Sequence, residues 1–354
     1  MAIKMNDLRN LKYKIPYPMK GIVEEIAPCI YESIYCQYSA VDLAMTVVSA
    51  ALINRSLERV AKAPSPDDAF WRIRKGIEIR GLERVIKLQR PQKRSHIDML
   101  MDGHDDMYSG EDALGRVGTK PKDGTSYAFK YLVAYSRIEP KGVIGLKEMF
   151  DGSVTNDAID MIKELHKDYI IDCLKIDGEF YKAELIEYVS DKQIPYIVRR
   201  SNTGNIRELN IPYNKPYFYK EEVKRTDGRI IHIECYLYRY KGIDGDFYLA
   251  SNMKNSAKTI RKMFKTRWEI ETGFREIERV GIKTTSTDFL VRLFFFIISC
   301  IVYNMWMKLR FRFSIFTIQL DDMVEVAKDY VKLLLLFPHD ISGMPRRRHI
   351  RLHI

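Results

Sequence analysis

Between residues 96 and 200 the chain alternates short runs of period two with longer runs of period three to four. HIDMLMD (96–102) places Ile97, Met99 and Met101 on one face, the pattern of a half-buried strand. SYAFKYLVAYSRI (126–138) and VIGLKEMF (143–150) are rich in aromatic and aliphatic residues, as strands are. KPKDGTS, ahead of the first of these, carries the turn signal Asp123-Gly124. NDAIDMIKELHKD (156–168) predicts a helix capped by Asn156. YIIDCLKID (169–177) predicts a strand, FYKAELIEYVSDKQ a helix and IPYIVRR (194–200) a further strand. Three strands without helices between them predict an antiparallel meander, and strands separated by helices predict parallel neighbours. The expected fold is α/β: a mixed sheet with helices on its faces.

The flanks follow other rhythms. Residues 1–94 form a helical N-terminal region, with helical periodicity in IVEEIAPCIYESIY and SAVDLAMTVVSAALINRSLERVAKA. In the next run, Ser65-Pro66-Asp67-Asp68 is a helix start with proline and acids in its first turn. QRPQKRS then makes a basic linker to residues 95–200. Residues 201–256 carry Gly and Asn turns and two strand-like runs, RIIHIECYLYRY and DFYLASNM, and form a β-rich insertion. Residues 257–312 return to the core. There, Ile260, Met263, Arg267, Ile270, Phe274 and Ile277 recur three and four apart, as one face of a helix. LFFFIISCIVYNMWM (293–307) follows, fifteen residues between Arg292 and Lys308. A membrane span needs about 20 apolar residues, so this is a buried core helix, with Trp306 and the phenylalanines at 294–296 inside. Residues 313–354 hold a C-terminal helix and the basic tail PRRRHIRLHI.

Charge narrows the partners. The 354 residues include 58 Lys and Arg against 47 Asp and Glu, a net charge of +11. That excess favours a polyanion, nucleic acid or an anionic surface, though an ordinary basic protein has it too. Five scattered cysteines (Cys29, Cys36, Cys173, Cys235, Cys300) include no zinc-like pair and suit a reducing compartment. The first twenty residues carry no apolar core of signal-peptide type. The expected location is cytoplasmic, with nucleoid association and no membrane partner.

Three acids stand where strands and a helix can bring them together. Asp102 is expected to end the first strand, ahead of GHDDMYSG, and Asp177 the fourth, ahead of GEFY. Gly103 and Gly178 let the backbone leave a sheet at once. Glu271 lies at the edge of the apolar stripe, and the stretch from Lys258 to Arg267 has five basic residues and no acid. Two strand-end aspartates and a helical glutamate make an oxygen-rich site suited to two Mg²⁺ or Mn²⁺ ions. Ions about 4 Å apart activate a water and stabilise the leaving oxygen in phosphodiester cleavage. The cations beside Glu271 would meet the phosphate backbone. The plain alternatives stay open: Asp102 as a turn residue, and Arg267 with Glu271 as an i, i+4 salt bridge contributing about 0.3–0.5 kcal/mol.

The motifs themselves resemble a known family. FKTRWEIETGFREIE supplies Phe264, Arg267, Trp268, Ile270, Glu271, Phe274 and Arg275. With the Asp102–Gly110 run, Ile176–Tyr181 and Tyr303-Asn304-x-Trp306, it is similar to the DDE transposases of bacterial and archaeal insertion sequences. The likeness is to the cut-and-paste group with a β-rich insertion and covers roughly residues 40–310. It implies a ribonuclease H-like fold with Asp102, Asp177 and Glu271 as catalytic metal ligands. It also implies cleavage at the element's ends, joining of 3′-hydroxyl ends to target DNA, and a homodimer in a synaptic complex. The helical N-terminal region would help bind the terminal inverted repeats. Arg267, Arg275, Phe264, Trp268, Lys258 and Lys265 are the expected DNA contacts. In two places the chain departs from the family: Phe264 replaces its usual tyrosine and Glu278 its usual lysine. Phe264 can stack on a base but donates no hydrogen bond, and Glu278 repels a phosphate.

Other residues carry two readings. His104 either positions DNA or water, or stabilises a turn; Asp105 would sit behind the ligands. Trp268 suits a wedge between bases, but a core place on the buried flank of its helix is the preferred reading. Arg346, Arg347 and Arg348 either grip phosphates or end the chain as a solvated tail. Tyr127, Phe129 and Tyr131 fit a strand with one packed face better than a stacking platform. Two rival functions stand beside the transposase: a decayed or repurposed protein that binds DNA without cutting, and a two-metal nuclease that cuts without joining.

Overall fold

A computed structural model of the chain describes residues 16–60, 65–81, 95–110, 112–149, 154–202, 204–243, 245–312, 320–322 and 324–325. Nearly all of the expected linker at 89–95 and the whole tail with Arg346–Arg348 lie outside the described residues. The chain divides into two compact units: residues 1–89, 110–114 and 275–354 form one, and residues 90–109 and 115–274 the other.

Among the described residues, the N-terminal part of the first unit has the helices α1 (Pro16–Ile26), α2 (Ala40–Leu52) and α3 (Pro66–Arg80). The first predicted helical run is shorter than its periodicity suggests. It tightens to a 3-10 turn at Ala27–Cys29, where Pro28 offers no amide donor. Helix α2 starts at a capping box, Ser39 with Asp42, and stops before Asn54, whose φ of 51° leaves helical space. Helix α3 starts as its sequence predicts: the Ser65 hydroxyl accepts from the Asp68 amide and Pro66 opens the first turn. Gly76 on α3 meets the Cys29 backbone, and a Cβ there would lie 2.0 Å from the Cys29 carbonyl oxygen. Gly76→Ala is therefore expected to destabilise this unit by about 1–3 kcal/mol, read as a lower urea midpoint at unchanged slope. An unchanged midpoint would mean that the two backbones part without cost.

The second unit is built on a mixed sheet. Its elements are β1 (His96–Met107), β2 (Arg116–Lys122), β3 (Thr125–Ser136), β4 (Gly142–Glu148), α4 (Val154–Asp168), β5 (Ile170–Ile176), α5 (Ala183–Asp191), β6 (Tyr196–Arg200), α6 (Gly204–Glu208), β7 (Pro216–Lys224), β8 (Ile230–Lys241), β9 (Asp246–Ser251), α7 (Ala257–Lys265) and α8 (Trp268–Arg279), the last of which continues beyond the unit. The strand order is β2-β3-β1-β5-β6-β9-β8-β7, and β4 pairs with the second half of β3. The meander β1–β3–β4 is antiparallel and β5–β6 is parallel, as the connections predict; the other parallel neighbour of β5 is β1, not β4. The strands of residues 201–256 continue this same sheet through β9.

Two strands, β2 and β7, are absent from the sequence prediction. Both lie at sheet ends. Strand β2 is largely polar, and β7 packs Tyr217, Tyr219 and Val223 on the core while Lys220, Glu222 and Lys224 face outward, charges that keep edge strands from stray pairing. Strand β1 is also longer than predicted. DGHDDM is not a loop: it pairs with β3 as far as Met107↔Ala128. Helix α4 begins at Val154, so Asn156 lies inside it and is not its cap.

Alternation sorts the two faces. Ile97, Met99, Met101, Leu174, Ile176 and Val198 pack with Ile162 and Leu165 of α4 and with Leu185, Ile186 and Val189 of α5. On the opposite face, Cys173, Ile197, Tyr238, Tyr240 and Leu249 pack with Ala257 and Ile260 of α7, and Phe264 adds its ring. Asp102 and Asp177 each follow a residue of the first face by one position, so both point to the face that α7 covers.

The long helix α9 (Phe289–Arg312) belongs to the first unit. At 24 residues it exceeds the fifteen of its apolar run, and by length and composition it could cross a membrane. Yet 94% of its apolar window is buried inside the protein, Trp306 and Phe294–Phe296 included. It is the core helix that the sequence predicts.

Candidate active site

The parallel β1–β5 ladder ends at Met101↔Ile176. Asp102 and Asp177 are the next residue on each strand, so they leave the ladder side by side. Asp177 ends its strand as expected. Asp102 does not, because β1 runs on against β3. The first motif therefore sits within a strand, and what frees Asp102 is the end of its parallel partner.

Helices α7 and α8 bring the third acid. The sequence predicts one continuous helix; the structure breaks it at Thr266 and Arg267. Thr266 donates its hydroxyl to the Met263 carbonyl at 2.6 Å. The amides of Thr266, Arg267, Glu269 and Ile270 all bond three residues back, at 2.9–3.2 Å, a 3-10 spacing that winds the chain more tightly. The extra winding moves Trp268 off the packed face that Phe264 holds. Trp268 is 64% exposed, which corrects its expected core position.

Arg267 turns the other way. It was expected among the residues that contact DNA, yet it is only 8% exposed, because its guanidinium points inward at the acids. Its Nη1 donates to Asp102 Oδ2 at 2.6 Å and its Nη2 to Glu271 Oε1 at 2.8 Å. Nη2 also lies 4.0 Å from Asp177 Oδ2. The i, i+4 pair of Arg267 and Glu271 thus exists, but as one arm of a three-carboxylate cluster. Three acids far apart in sequence meet around a single cation.

The electrostatics are those of crowded carboxylates. Burial pushes the Asp102 carboxyl up to about 7; Arg267 opposes that shift, and Asp177 and Glu179 add to it. Burial also raises Glu179, a fourth acid beside the site. His104 lies within β1, buried and 5.0 Å from the Phe274 ring, and burial lowers it to about 4. It is a neutral packing residue rather than a turn residue. Asp105 accepts a hydrogen bond from Thr119 and pairs with Lys130 at 3.7 Å, which ties β1 to its neighbours. Phe129 and Tyr131 are buried, while Tyr127, on the same face but nearer the start of β3, is exposed. From Tyr131 on both faces of the strand are buried, so the expected single packed face is replaced by a strand covered on both sides.

The start of α8 is anchored by residues that sequence reasoning did not single out. Glu269 accepts from Arg137 at 2.8 Å and from Lys141 at 2.9 Å. Burial alone would raise Glu269, but these hydrogen bonds outweigh it and hold the carboxyl below its ordinary range. Arg137 also binds Asp98, which pairs with the buried Lys175. The sequence signal was available: Asp98 and Lys175 are charges inside two apolar strands.

Does this donor set fit divalent ions? The donors are hard carboxylate oxygens converging on a position already occupied by positive charge. Asp177 Oδ1 is buried with no hydrogen-bond partner, an acceptor left open. The residues fit such ions chemically. As they stand, no three His, Cys, Asp or Glu among the described residues are placed to hold one; the Arg267 guanidinium stands between the acids. Of the other expected DNA contacts, Lys258, Lys265 and Arg275 are exposed and Phe264 is half-buried.

Comparison with known proteins gives likenesses of two kinds, to a family and to solved structures. Residues 153–305 match the family described as the transposase DDE domain, a span that contains Asp177 and Glu271 and begins after Asp102. No curated protein matches the sequence. Among solved structures, the fold is similar to a piggyBac transposase in a synaptic complex with hairpin DNA, with a TM-score of 0.57 at 14% identity. That likeness covers 93% of this chain and 82% of the other. The fold class implied by the sequence resemblance is thereby borne out.

Proposed function

We propose that the chain, whose residues 153–305 match the transposase DDE domain family, is a DNA transposase whose Asp102, Asp177 and Glu271 form the catalytic triad. The observation that supports this reading best is the convergence of the three carboxylates, from β1, the end of β5 and α8, on one cation. In this reading the triad holds two Mg²⁺ or Mn²⁺ ions, which when bound activate the attacking oxygen and stabilise the leaving one. Asp102 and Asp177 are fixed by the sheet. Glu271 is fixed by α8, whose first turn Glu269 anchors to Arg137 and Lys141.

The substrate is double-stranded DNA, first the element's terminal inverted repeats and then a target. Water attacks a phosphodiester at the element end and releases a 3′-hydroxyl. That hydroxyl then attacks a target phosphodiester, forms the new bond and releases a target 3′-hydroxyl. Cutting and joining paired ends suits a homodimer in a synaptic complex. The protein would then act in the cytoplasm, on nucleoid DNA.

The DNA face follows from α7. Lys258, Lys262 and Lys265, spaced four and three apart, are exposed, while Ala257 and Ile260 face the sheet. The three lysines form a stripe beside exposed Trp268, whose ring is free to stack on an unpaired base. Phe264 has its ring partly packed on the core and can offer DNA only an edge. Arg275 extends the exposed cations along α8.

The DNA reading is tested by salt dependence. Replacing Lys258, Lys262 and Lys265 together with alanine is expected to flatten the plot of log affinity against log salt by about 0.9 per lysine. An unchanged slope would mean that DNA lies elsewhere. The function itself is tested by incubating the protein with element-end DNA, target DNA and Mg²⁺ and following joined products. Cutting without joining would favour the two-metal nuclease. Binding without cutting, under Mg²⁺ or Mn²⁺, would favour the decayed copy.

A further inference from the structure

We propose that Arg267 is the protein's own counter-cation for the triad, standing where divalent ions bind and yielding that place when they arrive. The proposal rests on the metal-site reading above and goes beyond it, because it assigns the metal-free protein a defined state and a competitor for its ligands.

The geometry carries it. One guanidinium reaches Asp102 and Glu271 at 2.6 and 2.8 Å and stands 4.0 Å from Asp177. Each of the three acids comes from a different element. A plain helix salt bridge would satisfy Glu271 alone and lie at the surface. Arg267 instead turns its charged end into the cluster, and its Nε is buried there without a partner. That cost is accepted only if the positive charge is needed inside. Without it, Asp102, Asp177, Glu179 and Glu271 would repel one another in a partly buried space. Arginine suits the role because its fork serves two carboxylates at once and it does not lose its proton. It therefore leaves the site by moving.

The local backbone allows that movement. Arg267 lies in the tightened turn between α7 and α8, between half-buried Thr266 and exposed Trp268 and two positions after exposed Lys265. A change of side-chain rotamer at this turn takes the guanidinium from the acids towards the lysine face. The acids, no longer spread around a planar fork, can then close on compact ions. Metal arrival thus delivers one more cation to the surface that meets DNA.

The sign of one measurement decides it. Mn²⁺ is titrated into the full chain without DNA, and free Mn²⁺ is followed by electron paramagnetic resonance. Relative to the parent, Arg267→Met is expected to bind Mn²⁺ at least tenfold more tightly, with Arg267→Lys in between. Arg267→Met is also expected to melt lower than the parent without metal and to gain more from saturating Mn²⁺. If Arg267→Met fails to fold, Arg267→Lys decides the question: its single ammonium competes less well than the fork, so tighter binding than the parent is still expected. Equal or weaker Mn²⁺ binding by the folded variants overturns the proposal, because an arginine that merely positions ligands would be missed when removed. If the parent binds Mn²⁺ and Glu271→Gln abolishes that binding, such a result removes the counter-cation alone. If parent and variants all fail to bind Mn²⁺, the metal-site reading falls with it.

Discussion

Asp102→Asn and Glu271→Gln are each expected to lower metal-dependent cleavage of element-end DNA by at least about 10²–10³-fold, the usual cost of losing one transition-state stabiliser. Both substitutions keep the shape of the side chain and remove one negative charge. Glu271 touches Arg267 through Oε1 at 2.8 Å, and the amide oxygen of glutamine can accept the same hydrogen bond. Asp102 accepts from Arg267 and from the Gly103 amide, and asparagine can keep at least one of these. The fold should therefore persist while the oxygen donors weaken. Lys258, Lys262 and Lys265 are untouched, so DNA binding should stay close to the parent's. Loss of cleavage with binding retained is the pattern that separates a catalytic acid from a structural one. Parent-level cleavage by Glu271→Gln would remove Glu271 from the triad.

The second large effect is on stability. Asp98→Ala is expected to cost about 3–5 kcal/mol, the range for breaking a buried ion pair by removing one partner. Lys175 is only 1% exposed and pairs with Asp98. Asp98 also holds Arg137, which reaches Glu269 on α8. Removing Asp98 leaves the Lys175 ammonium buried beside apolar strands with no counter-charge. The measurement is urea unfolding of parent, Asp98→Ala, Lys175→Met and the double variant. If an uncompensated charge is the cause, the double variant should recover much of the loss, and the cycle should give a strong interaction between the two sites. Additive losses would assign the effect to packing instead.

Much of this fold is legible in sequence because alternation fixes which strand face is buried. Ile97, Met99 and Met101 give the face of β1, and the parity of Asp102 and Asp177 follows from it. The order of strands and helices gives the parallel pairing of β5 and β6; that β5 lies beside β1 rather than β4 does not follow from that order. What is not legible depends on partners distant in the chain. DGHDDM reads as a loop because it is polar, yet β3 pairs with it and makes it strand. The polar edge β2 carries little apolar signal to read, whereas β7 does carry one, in Tyr217, Tyr219 and Val223 on one face, and was missed. Trp268 was expected in the core from helical spacing, and the 3-10 turn at Thr266 and Arg267 changes that spacing. Arg267 was expected to face DNA because its neighbours are cations. Its inward direction depends on acids 90 and 165 positions away in the chain, which no local pattern contains. The anchor at Glu269 was missed for the same reason: Arg137 and Lys141 come from the turn between β3 and β4.

The most direct measurement is a crystal of the full chain soaked in Mn²⁺, with data collected for anomalous scattering at the manganese edge. The account predicts anomalous peaks bounded by Asp102, Asp177 and Glu271, with the Arg267 side chain moved out from between them. Manganese bound only at other places, with Arg267 still bridging the three acids at high Mn²⁺, would contradict it.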